Sequence, residues 1–300
     1  LISLTILGNN SAIPAFGRCP TAQVLQDQDN SFLIDCGEGT QMQLSKYKIK
    51  RSKITHIFIS HLHGDHYFGL IGLLTSMSLL NRTQELHIFG PAQLENILQI
   101  QLEAGEVNLS FSLHFHALTT SGIIANTNKM EIHCFPVNHR IACWGFLFKE
   151  KKNPRSVVPE NARAYEIPSS FYEQLQKGAD YVNKKGTVIA NEAVTNANTI
   201  AKTYAYCADT IFDTNLVEIV RGVDLLYHET TYLKDQENKA KDRFHSTSIQ
   251  AATIASLANV KQLIIGHFSS KYESIDPFLF EAKTVFENTA LAIEGSCFKI

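Results

Sequence analysis

No apolar run in the 300-residue chain approaches the ~18–20 residues that a membrane helix needs, so a membrane-spanning protein is excluded. There is no Cys-x-x-Cys pair. Cys19, Cys36, Cys134, Cys143, Cys207 and Cys297 are scattered, which points to reduced thiols and a cytoplasmic setting, not a disulfide framework. Excess charge is also missing: 27 Lys and Arg against 29 Asp and Glu leave −2. A protein that coats nucleic acid over its whole surface is basic throughout, so any nucleic-acid contact here would be a local patch. Repeats and low-complexity tracts are absent, and Leu1–Leu7 alternates like a strand without the basic start of a signal peptide. With 44% hydrophobic and 19% charged residues the chain reads as soluble and globular, one large domain or two small ones.

What is present is a short alternation of strands and helices. Leu4–Leu7, Ala22–Leu25, Phe32–Cys36, Ile54–Ser60, Glu85–Phe89, Ile132–Val137, Tyr204–Cys207, Val223–Tyr227 and Leu263–Ile265 have the apolar, β-branched character of strands. The spacing predicts a helix over Gly69–Leu80 and another opened by Pro91 at its first position. From Lys149 to Ala201 the texture turns polar and aperiodic, too long for an ordinary loop. We therefore read one α/β domain over residues 1–300 with an arm inserted at about 150–200.

Twelve histidines demand an explanation. Three fall in His61-Leu62-His63-Gly64-Asp65-His66, directly after a predicted strand, and supply imidazole nitrogen and carboxylate oxygen, the donors of a divalent transition metal. Chance assembly of three histidines and an aspartate in this pattern has odds of about one in a thousand. Buried histidines kept for packing alone would each need a partner. A tight loop cannot aim all four side chains at one ion, so two neighbouring ions are expected, with further ligands at other strand ends. His139, Asp209, His267 and His228-Glu229 each follow or end a predicted strand. Singly these are weak signals, and Asp209-Thr210 could equally cap the helix near Asn215. A carboxylate bridges two ions best, which favours Asp209 for that place. His56, His87, His114, His116 and His133 read as ordinary strand residues. In His245-Ser246-Thr247-Ser248-Ile249-Gln250, Thr247 and Gln250 form a capping box for the helix Ser248–Leu257. His245 is then either the residue before a cap or a general acid, kept protonated by a carboxylate such as Glu229.

These residues resemble the ribonuclease Z (tRNase Z) family of the metallo-β-lactamase superfamily. The likeness runs from Gly8-Asn9-Asn10-Ser11-Ala12-Ile13-Pro14 through Asp35-Cys36-Gly37-Glu38-Gly39-Thr40-Gln41, His228-Glu229-Thr230 and His245-Ser246-Thr247 to His267. It includes the arm after His139, with Ile167-Pro168 and Gln174-Leu175-Gln176-Lys177-Gly178. The resemblance implies a four-layer αββα sandwich and a protruding arm that grips tRNA. It implies two zinc ions per chain, although the same ligands accept manganese or iron. His61, His63 and His139 would hold one ion, and Asp65, His66 and His267 the other, with Asp209 between them. Asp65 would orient or deprotonate water, and His245, backed by Glu229, would protonate the leaving oxygen. The implied activity is removal of 3′ trailers from precursor tRNA, by a homodimer. The sequence departs from the family pattern at the arm tip (Ser169-Ser170-Phe171 where Pro-Gly-Pro is usual), at Cys207-Ala208 before Asp209-Thr210, and at Thr230. The arm's cations, Lys151, Lys152, Arg155, Lys184 and Lys185, are few. The rival reading is a small-molecule phosphodiesterase or arylsulfatase-like hydrolase, which would have no use for the arm.

Overall fold

The computed structural model describes residues 2–151, 154–197 and 200–300, so Lys152 of the predicted arm lies outside the described residues. Two seven-stranded sheets dominate. The first has the order Cys297–Lys299, Ser3–Gly8, Ala22–Gln26, Ser31–Ile34, Ile54–Phe58, Leu86–Pro91, Leu113–Leu118. The second has the order Thr289–Leu291, Gln262–Gly266, Leu225–Glu229, Thr203–Cys207, Cys143–Glu150, Met130–Val137, Gly122–Asn126.

The chain divides into two compact units, one formed by 1–125, 132–148 and 202–300, the other by 126–131 and 149–201. In the first unit the facing sides of the sheets meet through aromatic rings. Phe58 lies 5.4 Å from both Phe146 and Phe148, and Phe32 lies 5.9 Å from Phe148. On the other face of the first sheet, Leu7, Val24, Leu33, Ile57 and Ile88 pack with Leu44, Leu70, Leu74 and Leu94 from the helices Thr40–Lys46, Leu70–Leu79 and Gln93–Ala104. The helix Ser248–Leu257 buries Ala251, Ala252, Ile254 and Ala255 beside the second sheet. Two large sheets flanked by helices make this an α/β sandwich.

Within this unit the strands Thr203–Cys207, Leu225–Glu229 and Gln262–Gly266 are parallel neighbours, registered Cys207↔His228 and Glu229↔Gly266. Parallel strands end on one edge, so Asp209, Glu229 and His267 arrive together. Open α/β sheets place ligands at that edge.

The second unit has its own small core of Ala162, Ile167, Leu175, Ile189 and Val194. It is built from the helices Pro159–Ala164, Tyr172–Gln176 and Asn191–Val194 and two strand pairs, Ser156–Val157 with Thr195–Asn196 and Tyr181–Val182 with Val188–Ile189. Helices of four to six residues are too short to show a period, which is why the stretch reads as aperiodic.

Two expectations need correction. Pro91 does not open a helix. It ends the strand Leu86–Pro91, paired with Leu118, and the helix starts at Gln93 after Ala92. At the last position of a strand a proline's missing N–H costs at most one ladder bond. The predicted strand Phe32–Cys36 stops at Ile34, because Asp35 turns into the left-handed region with φ +55°.

Candidate metal centre

The loop after Ile54–Phe58 brings His61 and His63 to the sheet edge, and the one-turn helix Gly64–Tyr67 carries Asp65 and His66. The turn at 35–37 docks directly on this loop: Cys36 N–H donates to His66 O at 2.7 Å and Gly69 N–H to Cys36 O at 2.9 Å. The approach is close enough that a Cβ at Gly37 would stand 2.4 Å from Asp65 O, so only glycine fits there.

Two sets of ring nitrogens converge. His63 Nδ1 lies 3.0 Å from His61 Nε2 and 3.1 Å from His139 Nε2. His267 Nε2 lies 3.3 Å from both His66 Nε2 and Asp65 Oδ2. Asp209 faces both sets with different oxygens. Its Oδ2 is 3.5 Å from His61 Nε2 and 4.0 Å from His139 Nε2. Its Oδ1 is 3.4 Å from His66 Nε2 and 3.2 Å from His267 Nε2. The groups His61, His63, His139, Asp209 and Asp65, His66, His267 each have donor atoms within 4.8 Å of one another.

The far sides of the rings are fixed by the protein. His66 Nδ1 meets Asp35 Oδ2 at 2.8 Å, His139 Nδ1 meets Phe244 O at 2.9 Å and His267 Nδ1 meets Thr231 Oγ1 at 2.9 Å. Ala12 N–H donates to Asp65 Oδ2 at 2.7 Å. Outer partners of this kind set the tautomer and aim the lone pair of the other ring nitrogen inward.

Electrostatics agree with a cation site. Burial and the neighbouring imidazoles push His61 well below its ordinary range, and burial above all lowers His63 and His139, so these rings are neutral donors. Burial opposes ionisation of Asp209 and Asp65, yet His267 and His66 hold both carboxyls below their usual range. Among the described residues, Asp35, Asp65, Asp209 and Glu229 have ion pairs with histidines and none with Lys or Arg. Asp209 Oδ1 is buried without a hydrogen bond. A buried carboxylate oxygen left bare is costly, and a bound divalent cation removes that cost. The donor set thus fits a divalent metal ion.

Beside the cluster, Glu229 is a fully buried carboxylate surrounded by donors. Its Oε1 accepts from Ser246 N–H at 2.9 Å and from Thr210 N–H at 3.2 Å, and lies 3.0 Å from His245 Nδ1. Its Oε2 accepts from the Thr231 amide at 2.9 Å and hydroxyl at 2.8 Å. Burial works against a charge on His245, but Glu229 outweighs it and raises the imidazole to about 8. The capping box of Thr247 and Gln250 is present, so His245 is both the residue before a cap and a ring held at the cluster.

All seven expected ligands therefore lie together, with Glu229 and His245 adjoining them. His228 does not join, its Nδ1 being bound to Glu229 O at 2.8 Å. Asp209 caps no helix. The turn before Leu216–Ile219 is served by Asp213, whose Oδ1 accepts from Asn215 N–H at 2.9 Å. Sequence reasoning assigned no role to Asp35, Thr231 or the Phe244 carbonyl. The signal for Asp35 was its place before Gly37 in a motif already noticed; nothing local marks the other two.

Fold and site together define a metallo-β-lactamase-fold hydrolase. The structure resembles a metallo-β-lactamase fold protein from Bacillus subtilis, with TM-score 0.70 and 19% identity over the full length of both chains. It also resembles the short form of human tRNase Z, with TM-score 0.72 and 27% identity over 99% of each chain. In sequence, the ribonuclease Z of Bacteroides fragilis (strain YCH46) is 44% identical over 299 residues, 99% of this chain and 98% of that protein. That of Cytophaga hutchinsonii is 44% identical over 99% and 96%. The chain belongs to the ribonuclease Z family, and its residues 2–153 also match the family described as Anti-Pycsar protein Apyc1. That second match ends before Asp209, Glu229, His245 and His267, whereas the ribonuclease Z relatives align with nearly the whole chain.

Proposed function

We propose that the chain is a zinc-dependent endoribonuclease that removes 3′ trailers from precursor tRNA and leaves a 3′-hydroxyl on the tRNA. The observation that carries this reading is the split of Asp209 between two donor groups, next to an acid–carboxylate pair, in a member of the ribonuclease Z family. His61, His63 and His139 would hold one zinc and Asp65, His66 and His267 the other, with Asp209 shared. Bound ions at such a pair of sites supply positive charge to the phosphate and acidify water.

The protein's own groups do the rest. Asp65 Oδ2, aimed by Ala12 N–H, orients or deprotonates the attacking water. His245 Nδ1–H is committed to Glu229, which leaves Nε2–H to donate to the departing 3′-oxygen of the tRNA. Glu229 keeps that ring charged, which the raised value of about 8 supports. The segment 149–201, with a core of its own, serves as the substrate-binding arm of a domain that otherwise spans 1–300. Homodimer formation and a cytoplasmic location complete the proposal; no described helix is long and apolar enough to cross a membrane.

The test is cleavage of a precursor tRNA carrying a 3′ trailer, followed by identification of the new end. A product with a 3′-phosphate, or no cleavage by zinc-loaded protein that still hydrolyses a small phosphodiester, sinks the reading. The latter result would favour a small-molecule phosphodiesterase, the rival that shares every expected ligand but has no use for the arm.

A further inference from the structure

The densest positive charge in the chain lies outside the arm. The arm, 149–201, has eight basic residues against six acidic ones, whereas Lys46, Lys48, Lys50, Arg51 and Lys53 put five cations into eight positions with no acidic residue. The four lysines are exposed and Arg51 is half-buried. None of the five has a carboxylate within ion-pair distance among the described residues; Lys46 instead lies over the Tyr47 ring at 5.1 Å.

A sixth cation braces the segment from below. The Arg82 guanidinium donates to the carbonyls of Gln84 at 2.7 Å, Ile54 at 2.9 Å and Glu85 at 2.9 Å, so its charge meets no carboxylate either. Two surface grooves share Lys48 and Lys50. One of about 620 Å³ is also lined by Arg51 and Arg82, the other of about 480 Å³ by Lys53 and Tyr47.

A charge run is usually a solvated face, but such faces mix signs, because like charges repel. Five cations without an ion pair, beside two grooves in a chain of net charge −2, form a patch matched to a regular polyanion. Its location fits a long one. The run ends where the strand Ile54–Phe58 begins, and the metal loop follows that strand's other end, about 16 Å away for five residues at ~3.3 Å each. At that separation a ligand touching both is an extended chain of more than one nucleotide.

We propose that Lys46–Lys53 is a docking surface for the phosphate backbone of the precursor RNA, distinct from both the metal cluster and the arm. The inference rests on the proposed RNA-processing function and adds where the body of the substrate is held. Since the patch is remote from the reacting phosphate, it acts on binding and leaves the chemical step alone.

The experiment compares the zinc-loaded parent with the triple variant K48Q/K50Q/K53Q and the charge-keeping K48R/K50R/K53R. Anisotropy of a fluorescent precursor tRNA is measured between 50 and 200 mM salt, beside hydrolysis of bis(p-nitrophenyl) phosphate. Each cation that displaces a counterion adds about 0.7–0.9 to the slope of log affinity against log salt. The glutamine triple should lose about 2–3 from that slope and bind roughly tenfold more weakly at low salt. The arginine triple should match the parent, and all three should hydrolyse the small ester equally. A glutamine triple with the parent's slope and affinity overturns the proposal, as does an arginine triple that weakens equally. If the parent binds but does not cleave, the functional reading fails while the slopes still decide the patch.

Discussion

Asp35 Oδ2 accepts from His66 Nδ1–H at 2.8 Å, across 31 residues of sequence, and thereby turns His66 Nε2 toward the cluster. The same carboxylate accepts from Tyr206 OH at 2.6 Å and Ser60 Oγ at 2.9 Å, while its Oδ1 accepts from Ser60 N–H at 2.7 Å. One buried side chain so ties both sheets to the metal loop.

Asp35→Asn should keep the shape and weaken the charge that fixes the His66 tautomer. Losses of outer carboxylates to metal-bound histidines typically cost 10–100-fold in metal affinity or activity. Competition with a chelator should show one ion released at lower chelator concentration than in the parent, and the other retained. Equal retention of both would reduce Asp35 to a packing residue.

Asp209→Ala should strip both ions, because the two oxygens serve different donor groups. Metal content per chain, measured after desalting, should fall well below the parent's. Two tightly held ions in this variant would remove Asp209 from the shared position.

His245→Ala should slow precursor cleavage by about 10²–10⁴-fold, the usual contribution of a positioned acid, without emptying the metal site. Nitrophenolate leaves without needing a proton, so a nitrophenyl phosphodiester should be hurt far less. Glu229→Gln should follow the same pattern more mildly. Equal losses on both substrates, or loss of zinc, would return His245 to its place before a helix cap.

Excising residues 154–197 should separate recognition from chemistry. Precursor cleavage should collapse, and hydrolysis of the small phosphodiester should persist with the parent's kcat. A parallel fall in both activities would place this segment within the catalytic unit.

Much of the centre was legible in the chain because its geometry is local. Strand Ile54–Phe58 is apolar and β-branched, and a loop of three histidines and an aspartate directly after it has little other use. Strand ends could be read the same way: parallel strands finish on one edge whatever their order, which collected Asp209, Glu229 and His267, and His139 was read from the end of its own strand. The capping box of Thr247 and Gln250 is likewise a four-residue signal.

What only the tertiary structure decided are relations between residues far apart in sequence. Every residue of Leu225–Glu229 is buried, so that Glu229 and not His228 faces the cluster is decided only by which side of the strand meets the metal loop. That Thr231 holds His267, and Phe244 O holds His139, depends on chain segments 36 and 105 residues away folding against one another. The division of Asp209's oxygens, and the use of Nδ1 by His63 where His61 and His139 use Nε2, are set by side-chain packing at a closed sheet edge. Residue type determines which atoms are available to a metal; only the assembled edge determines which of those atoms point at one another.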